Sequence, residues 1–336
     1  MTWEQANRIL EKELSDDSED VMSVDLLGGE PLINFSLIPR ICDWIWGKRP
    51  DLKIYARTNG TLLNAEMKNW LVFNKERFTL GLSIDGIPEV NYINRGINTL
   101  DLDFFKKNWP DNPVKMTIYP ESVKFLSSSL EYLYDKGFKV IGDLAQGVFW
   151  DERSCSILKE QLDILCEYYL SKPHIEPLDS LFDFNFHKAF WIPNSELELD
   201  PPCWSQANIH TYDCDGDFLP CHMFSSIVQG EQKRKKILLE AANIVHELLP
   251  KSCMECSIRW RCKNCMAMNY QHTGDFGHNI NLEYMCEAQR NAACASAKLL
   301  VYRAVQNALP IDSDVLCESI TNAIKYLKLS NEIINE

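Results

Sequence analysis

Short apolar runs alternate with longer amphipathic segments over the first half of the chain. The apolar runs predict five strands, at 21–27, 53–58, 78–85, 114–120 and 139–148. Apolar residues at helical spacing predict the helices that follow these strands, at 32–47, 62–73, 123–134 and 156–170. Strands that alternate with helices are typical of βαβ units. The pattern therefore predicts an α/β fold built on a parallel sheet.

Glycines and polar residues follow three of the predicted strands where each strand ends. They are Gly28-Gly29-Glu30-Pro31, Thr58-Asn59-Gly60 and Ser83-Ile84-Asp85-Gly86. Parallel α/β sheets and barrels place their ligand sites at this edge. Asn-Gly and Asp-Gly are also common turn formers, so each of these sequences taken alone favours a plain turn.

The second half of the chain lacks this alternation. Residues 173–200 hold three prolines and an irregular polarity, which indicates a linker. The segments 292–309 and 313–329 are amphipathic and predict helices that pack back on the core. We therefore expect an α/β region at 1–172, the linker at 173–200, a cysteine-rich region at 201–295 and C-terminal helices at 296–336.

Charge and hydropathy exclude several classes of function. The net charge of −14 repels phosphate backbones and argues against nucleic acid as a ligand. No apolar run approaches the roughly 18 residues of a membrane span. The polar, acidic N-terminal segment differs from a secretory signal, so we expect a cytoplasmic protein.

Cysteines are concentrated in one part of the chain. Nine of the 13 cysteines fall between Cys203 and Cys294. A reducing cytoplasm would not keep such a set oxidised, and the pattern indicates metal or iron–sulfur ligation. The Cys253–Cys256 and Cys262–Cys265 pairs have the Cys-x2-Cys spacing that brings two thiolates to one centre. The spacing alone leaves zinc and iron–sulfur open. The remaining cysteines are expected in the core, namely Cys42, Cys155, Cys166, Cys294 and Cys317.

The order of these cysteines resembles the SPASM domain, the auxiliary iron–sulfur module of radical S-adenosylmethionine (SAM) enzymes that modify peptides and proteins. The strand-end sequences LLGGEPL, YARTNGTLLN and LGLSIDGIPEVNYINR resemble those of the same superfamily. The resemblance implies a partial (β/α) barrel of radical SAM type that lacks its first strand. It also implies a set of residues near bound SAM, namely Gly28, Gly29, Glu30, Pro31, Asn59, Ser83, Asp85 and Arg95.

The resemblance also implies the ligands of two iron–sulfur clusters, each expected to be 4Fe-4S. The ligands of one would be Cys253, Cys256, Cys262 and Cys286. The ligands of the other would be Cys203, Cys221 and Cys265. Its fourth place could be filled by Cys214 or stay open, or the cluster could be 2Fe-2S.

Radical SAM enzymes hold their SAM-cleaving cluster with a Cys-x3-Cys-x2-Cys sequence after the first barrel strand. No such sequence occurs in these 336 residues. The segment TWEQANRILEKEL resembles the helix after that loop, which implies that the chain begins beyond it. We expect this chain to bind SAM weakly and not to cleave it, either as a truncated enzyme or as a natural variant.

Three functions remain open. The first is a radical SAM/SPASM peptide maturase represented without its cluster loop. The second is a non-catalytic paralogue that binds a peptide, a protein substrate or a catalytic radical SAM partner. The third is a structural two-zinc protein. His222 follows Cys221 where sulfatase-maturing relatives carry an acidic residue, which argues against that substrate.

Overall fold

The structure is a computed structural model that describes residues 1–15, 21–184, 186, 209–240, 256–258, 262, 265–274, 282–306 and 314–330. Cys203, Cys253 and most of the predicted linker lie outside the described residues. The domain boundaries therefore stay a prediction. Among the described residues, no helix has the length and apolar character that a membrane crossing requires.

Five parallel strands form the centre of the fold, as the apolar runs predict. They are β1 Ser23–Leu26, β2 Lys53–Thr58, β3 Phe78–Leu82, β4 Val114–Ile118 and β5 Val140–Leu144. β2 lies between β1 and β3, and β4 pairs with β5. A parallel bridge between Ser83 and Lys115 joins the two groups. The predicted α/β fold with parallel strands is confirmed.

Helices follow the strands in the expected alternation. They are α1 Trp3–Glu13, α2 Leu37–Lys48, α3 Ala65–Asn74, α4 Pro88–Arg95, α5 Leu102–Asn108, α6 Leu126–Asp135 and α7 Glu152–Ser171. The sequence analysis did not predict α4 and α5. Their signals are short and local: α4 begins at Pro88 and stops before Gly96, whose φ is +70°. The Asp101 side chain caps α5 by accepting from the Phe104 N–H.

The strands have one apolar and one polar face. Residues such as Ile54, Leu80 and Met116 are buried in a large core with α2, α6 and α7. Side chains of alternate strand residues point to the opposite side. We call this opposite side the polar face, and it consists of Ser23, Asp25, Lys53, Tyr55, Arg57, Thr79, Gly81, Lys115, Thr117, Ile141 and Asp143.

The remaining elements are mostly helical. They are α8 Asp179–Phe182, the antiparallel hairpin of β6 Thr211–Tyr212 and β7 Phe218–Leu219, α9 Ser226–Gln229, α10 Glu231–Glu240, α11 Met266–Thr273, α12 Leu282–Val305 and α13 Asp314–Leu329. α8 falls in the predicted linker, yet Leu178 and Leu181 are buried in the main core. α12 begins at Leu282 rather than at 292, so it carries Cys286.

α12 connects the core to the C-terminal region. Its small residues Ala292 and Ala295 join the core that α7 lines with Leu158 and Leu162. Ala293 and other residues of α12 pack against α13. The expectation that the C-terminal helices pack back on the core is met by α12, because small side chains allow a close approach between helices.

Candidate functional site

Glu30 ties the turn after β1 to the end of β2. Its Oε1 accepts from Thr58 Oγ1 at 2.8 Å and from the Leu32 N–H at 3.1 Å, and its Oε2 accepts from the Asn59 N–H at 2.8 Å. Through these bonds the Glu30 carboxylate fixes the backbone of the turn after β1 against the end of β2. The structure thus brings together Glu30 and Asn59, which the sequence analysis placed in one site.

Gly28 and Gly29 form an open rim beside this carboxylate. Both are exposed, and a Cβ added at Gly29 would meet nothing within 4 Å. Within the described part of the chain, neither glycine makes a backbone hydrogen bond. Their N–H and C=O groups are therefore available to a ligand, while Pro31 starts a short 3₁₀ turn at Pro31–Asn34.

Asp85 and Arg95 form an ion pair at the ends of β3 and β4. Arg95 donates from Nε and Nη2 to the two Asp85 oxygens at 2.9 and 2.7 Å. Asp85 Oδ1 also accepts from the Thr117 N–H at 2.9 Å, and the carboxylate is fully buried. Asp85 therefore positions Arg95 and the end of β4, while Arg95 remains partly exposed. Ser83 lies beside them in the bridge to Lys115.

Besides Lys53, the polar face carries four charged residues that the sequence patterns did not single out. Asp25, Arg57, Lys115 and Asp143 lie on β1, β2, β4 and β5. Burial raises the pKa of Asp25 although its side chain reaches solvent, and Arg57 opposes that shift. Lys115 Nζ lies 3.9 Å from Asp143 Oδ2. Their signal was the charge at alternate positions within otherwise apolar strands.

His222 brings the cysteine-rich region to the polar face. Burial lowers its pKa, Lys115 lowers it further, and Asp25 acts in the opposite direction. The imidazole is thus neutral near pH 7. His222 therefore interacts with charges on β1 and β4.

Cys221 and Cys265, predicted to ligate one cluster, contact the same small apolar cluster. Its buried members are Phe224, Ile237, Ala267 and Tyr270. Cys221 precedes a 3₁₀ turn at His222–Phe224, and Cys265 is the N-cap of α11. Both cysteines therefore border one small core, as the ligands of a shared centre would.

The second predicted cluster is described in part. The Cys262 N–H donates to the Ile258 carbonyl at 2.9 Å, so Cys262 lies beside the segment 256–258 that begins with Cys256. Cys256 packs against a core to which α12, the helix of Cys286, contributes Ala293. Within the described ranges, no three His, Cys, Asp or Glu side chains are gathered as a metal site. Each predicted cluster has one ligand, Cys203 or Cys253, outside those ranges.

Four of the five cysteines predicted for the core are buried there. Burial raises the pKa of Cys42, Cys155 and Cys166 to about 12. The Cys155 and Cys166 thiols donate to carbonyls of α12, at Tyr284 and Ala295. Cys317 is exposed on α13, so its core assignment is wrong. The apolar pattern of a helix does not show which residues at the edge of its apolar face are covered by a neighbouring element.

The loop after β5 connects the strands to both candidate cluster regions. His272 Nε2 of α11 lies 2.8 Å from the Gly147 carbonyl oxygen. Gly147 has φ of +72°, and an added Cβ would collide with Met268. Gln146 contacts Met285, which precedes Cys286. The helices that carry Cys265 and Cys286 are therefore held against one loop.

Comparison with known proteins returns no matching family model and no matching curated protein. Solved structures do match. anSMEcpe, an anaerobic sulfatase-maturating radical SAM/SPASM enzyme, with bound AdoMet (SAM) has a TM-score of 0.64 and 16% identity, over 92% of this chain and 91% of that one. The same protein with AdoMet and Cp18Cys peptide has a TM-score of 0.62 and 17% identity, over 92% of each chain.

SuiB from Streptococcus suis, bound to S-adenosylmethionine, is a further match. Its TM-score is 0.52 at 15% identity, over 80% of this chain and 66% of that one. At sequence identities this low, the matches show a similar fold and do not show a shared activity. The chain shares its fold with these radical SAM/SPASM proteins, as the resemblance in its sequence implied.

Proposed function

We propose that the chain is an iron–sulfur protein of radical SAM/SPASM type that binds a peptide or protein over the polar face of a partial barrel. The observation that carries the proposal is the charged polar face with His222 of the cysteine-rich region beside it. The neighbours of similar fold were solved with AdoMet, and one of them with a peptide. A reducing cytoplasm suits such a cysteine set.

The described cysteines fit the clusters that this architecture carries, because Cys221 and Cys265 share one small core. Cys256, Cys262 and Cys286 would hold the other cluster together with Cys253. Bound iron–sulfur clusters supply one-electron transfer. Zinc at the same thiols is the alternative.

The residues of this chain would bind SAM and orient the groups around it. The open backbone of Gly28 and Gly29 would accept the amino group of SAM, held in place by Glu30. Asp85 orients Arg95 toward the same strand ends. His222, which interacts electrostatically with Asp25 and Lys115, would contact a ligand bound on the polar face.

The reaction with SAM is where this chain departs from its neighbours. No Cys-x3-Cys-x2-Cys sequence occurs in its 336 residues, so we propose that these residues bind SAM without cleaving it. The test is incubation with SAM and dithionite, followed by chromatography for 5′-deoxyadenosine. Stoichiometric product from this chain would contradict the proposal. Product only after addition of a Cys-x3-Cys-x2-Cys segment or a partner would agree with it.

Anaerobic reconstitution tests the clusters. The expected product is a brown protein with about 8 irons per chain if both clusters are 4Fe-4S. Cys265→Ala should remove about half of this iron, because it takes one ligand from one cluster. The matched control is Cys294→Ala, in which a buried core thiol is lost and the iron content is unchanged. A colourless protein with about two zinc ions would favour the structural alternative.

A further inference from the structure

Arg57 lies on the polar face, opposite a glycine of the next strand. It pairs across the sheet with Gly81 of β3. A Cβ added at Gly81 would lie 3.4 Å from Cζ and Nη1 of Arg57 and from Nδ2 of Asn112. The guanidinium therefore lies over the neighbouring strand, beside the Asn112 side chain.

Within the described residues, the Arg57 guanidinium lacks an acceptor for one of its buried nitrogens. Nη1 is shielded from solvent and makes no hydrogen bond. Asp25 acts on Arg57 only through space, and Lys115 has Asp143 as its partner. Arg57 is half-buried overall, so part of its side chain stays within reach of a ligand, and an anion bound there would offset the cost of the buried, unpaired N–H.

We propose that Arg57 binds a carboxylate of the substrate peptide and so selects for an acidic residue; this rests on the proposed function. A guanidinium binds carboxylates through two parallel N–H bonds, which gives both direction and affinity. Burial lowers the pKa of Arg57, and Asp25 acts in the opposite direction. A bound carboxylate would neutralise the positive charge of Arg57.

The surroundings favour a peptide as the source of the carboxylate. Arg57 lies within β2, whereas Gly28, Gly29 and Asn59, the residues assigned to SAM, lie beyond the strand ends. Asp25 on the neighbouring strand interacts electrostatically with Arg57 and offers an acceptor on the same face. A donor and an acceptor side by side fit an acidic side chain together with the N–H groups of its own backbone.

Direct binding tests this assignment. Two fluorescent libraries of capped, amidated hexapeptides differ only in the fixed third residue, Asp or Asn. Their affinities for the anaerobically reconstituted protein are measured by fluorescence anisotropy. We expect the Asp library to bind at least about tenfold more tightly, since charge-assisted pairs are stronger than neutral ones. Arg57→Gln should abolish the difference, and Arg57→Lys should restore it in part.

Lys53→Gln is the matched control, because Lys53 lies on the same strand and face but donates to the Glu76 carbonyl. It should leave the preference for Asp unchanged. Equal binding of both libraries by the unmodified protein would overturn the assignment. An Arg57→Gln variant that keeps the preference but binds SAM about tenfold more weakly would assign the guanidinium to the SAM carboxylate and overturn it too. Binding of neither library would contradict the proposed function itself.

Discussion

Asp85 is a fully buried carboxylate that is held by hydrogen bonds from two other elements. Its buried carboxylate accepts from Arg95 and from the Thr117 N–H. Asp85→Asn leaves the guanidinium without a counter-charge and should lower the free energy of unfolding by about 3 kcal/mol. Lys68→Gln is the control: it breaks the exposed pair with Asp101 and should cost less than about 1 kcal/mol. Urea unfolding followed by circular dichroism measures both, and equal losses would contradict the structural role of Asp85.

Gly86 differs from an ordinary turn glycine because it packs closely against α6 as well as having a positive φ. Its φ is +127°, and an added Cβ would lie 2.1 Å from Ser129 Cβ in α6. Gly86→Ala should therefore cost about 3 kcal/mol or more, through steric overlap as well as backbone strain. Gly96 has φ of +70° and open space around it, so Gly96→Ala should cost about 1–2 kcal/mol. Similar melting temperatures for the two variants would contradict this prediction, because they would mean that α6 moves to accommodate the added methyl group.

The contact between α1 and the β6–β7 hairpin is the clearest pairing of elements distant in sequence. Glu13 accepts from Tyr212 and lies 2.5 Å from His210 Nδ1, and Lys12 donates to Tyr212 at 2.8 Å. Burial alone would raise the pKa of Glu13, but the hydrogen bonds from Tyr212 and His210 lower it below its ordinary value of 4.5. The contact is therefore strongest when Glu13 is ionised.

This lowered pKa predicts how stability depends on pH. Just below the ordinary value, the unfolded chain binds a proton at Glu13 while the folded chain does not, so stability falls as pH falls. Glu13→Gln should destabilise the protein at about pH 7, and its deficit should shrink at about pH 3.5. Glu11→Gln, on the same helix, removes a carboxylate outside this contact and should show a constant difference. Urea midpoints at both pH values are the measurement, and a Glu13→Gln deficit independent of pH would contradict it.

At the scale of the whole molecule, the cores differ in size. The large core joins the strands to α2, α6, α7 and α12, whereas four of the buried residues that the structure describes form the core beside Cys221 and Cys265. A small core draws much of its stability from bound metal. Removing iron with a chelator should therefore expose the amides of α11 to hydrogen exchange while β3 keeps its protection. Equal loss in both elements, or none in α11, would contradict this division.

The residues of the chain by themselves determine its periodic and local features. Five strands, most helices, the turn at Gly28-Gly29 and the Cys-x2-Cys spacings are short-range patterns, and the strands and turns appear where the sequence predicts them. α4 and α5 escaped prediction because they are too short to show a full period. The resemblance of motifs to radical SAM/SPASM proteins added the fold type that the solved structures bear out.

Only the tertiary structure decides which distant residues meet. Arg57 lies over Gly81, Gly86 admits Ser129, and His222 interacts with Asp25 and Lys115. Each pairing depends on strand register and on the approach of separate elements, and neither is encoded in local periodicity. The charges of the polar face were visible one by one in the sequence, but their assembly is a property of the fold, because side chains far apart in the chain become neighbours only when parallel strands align.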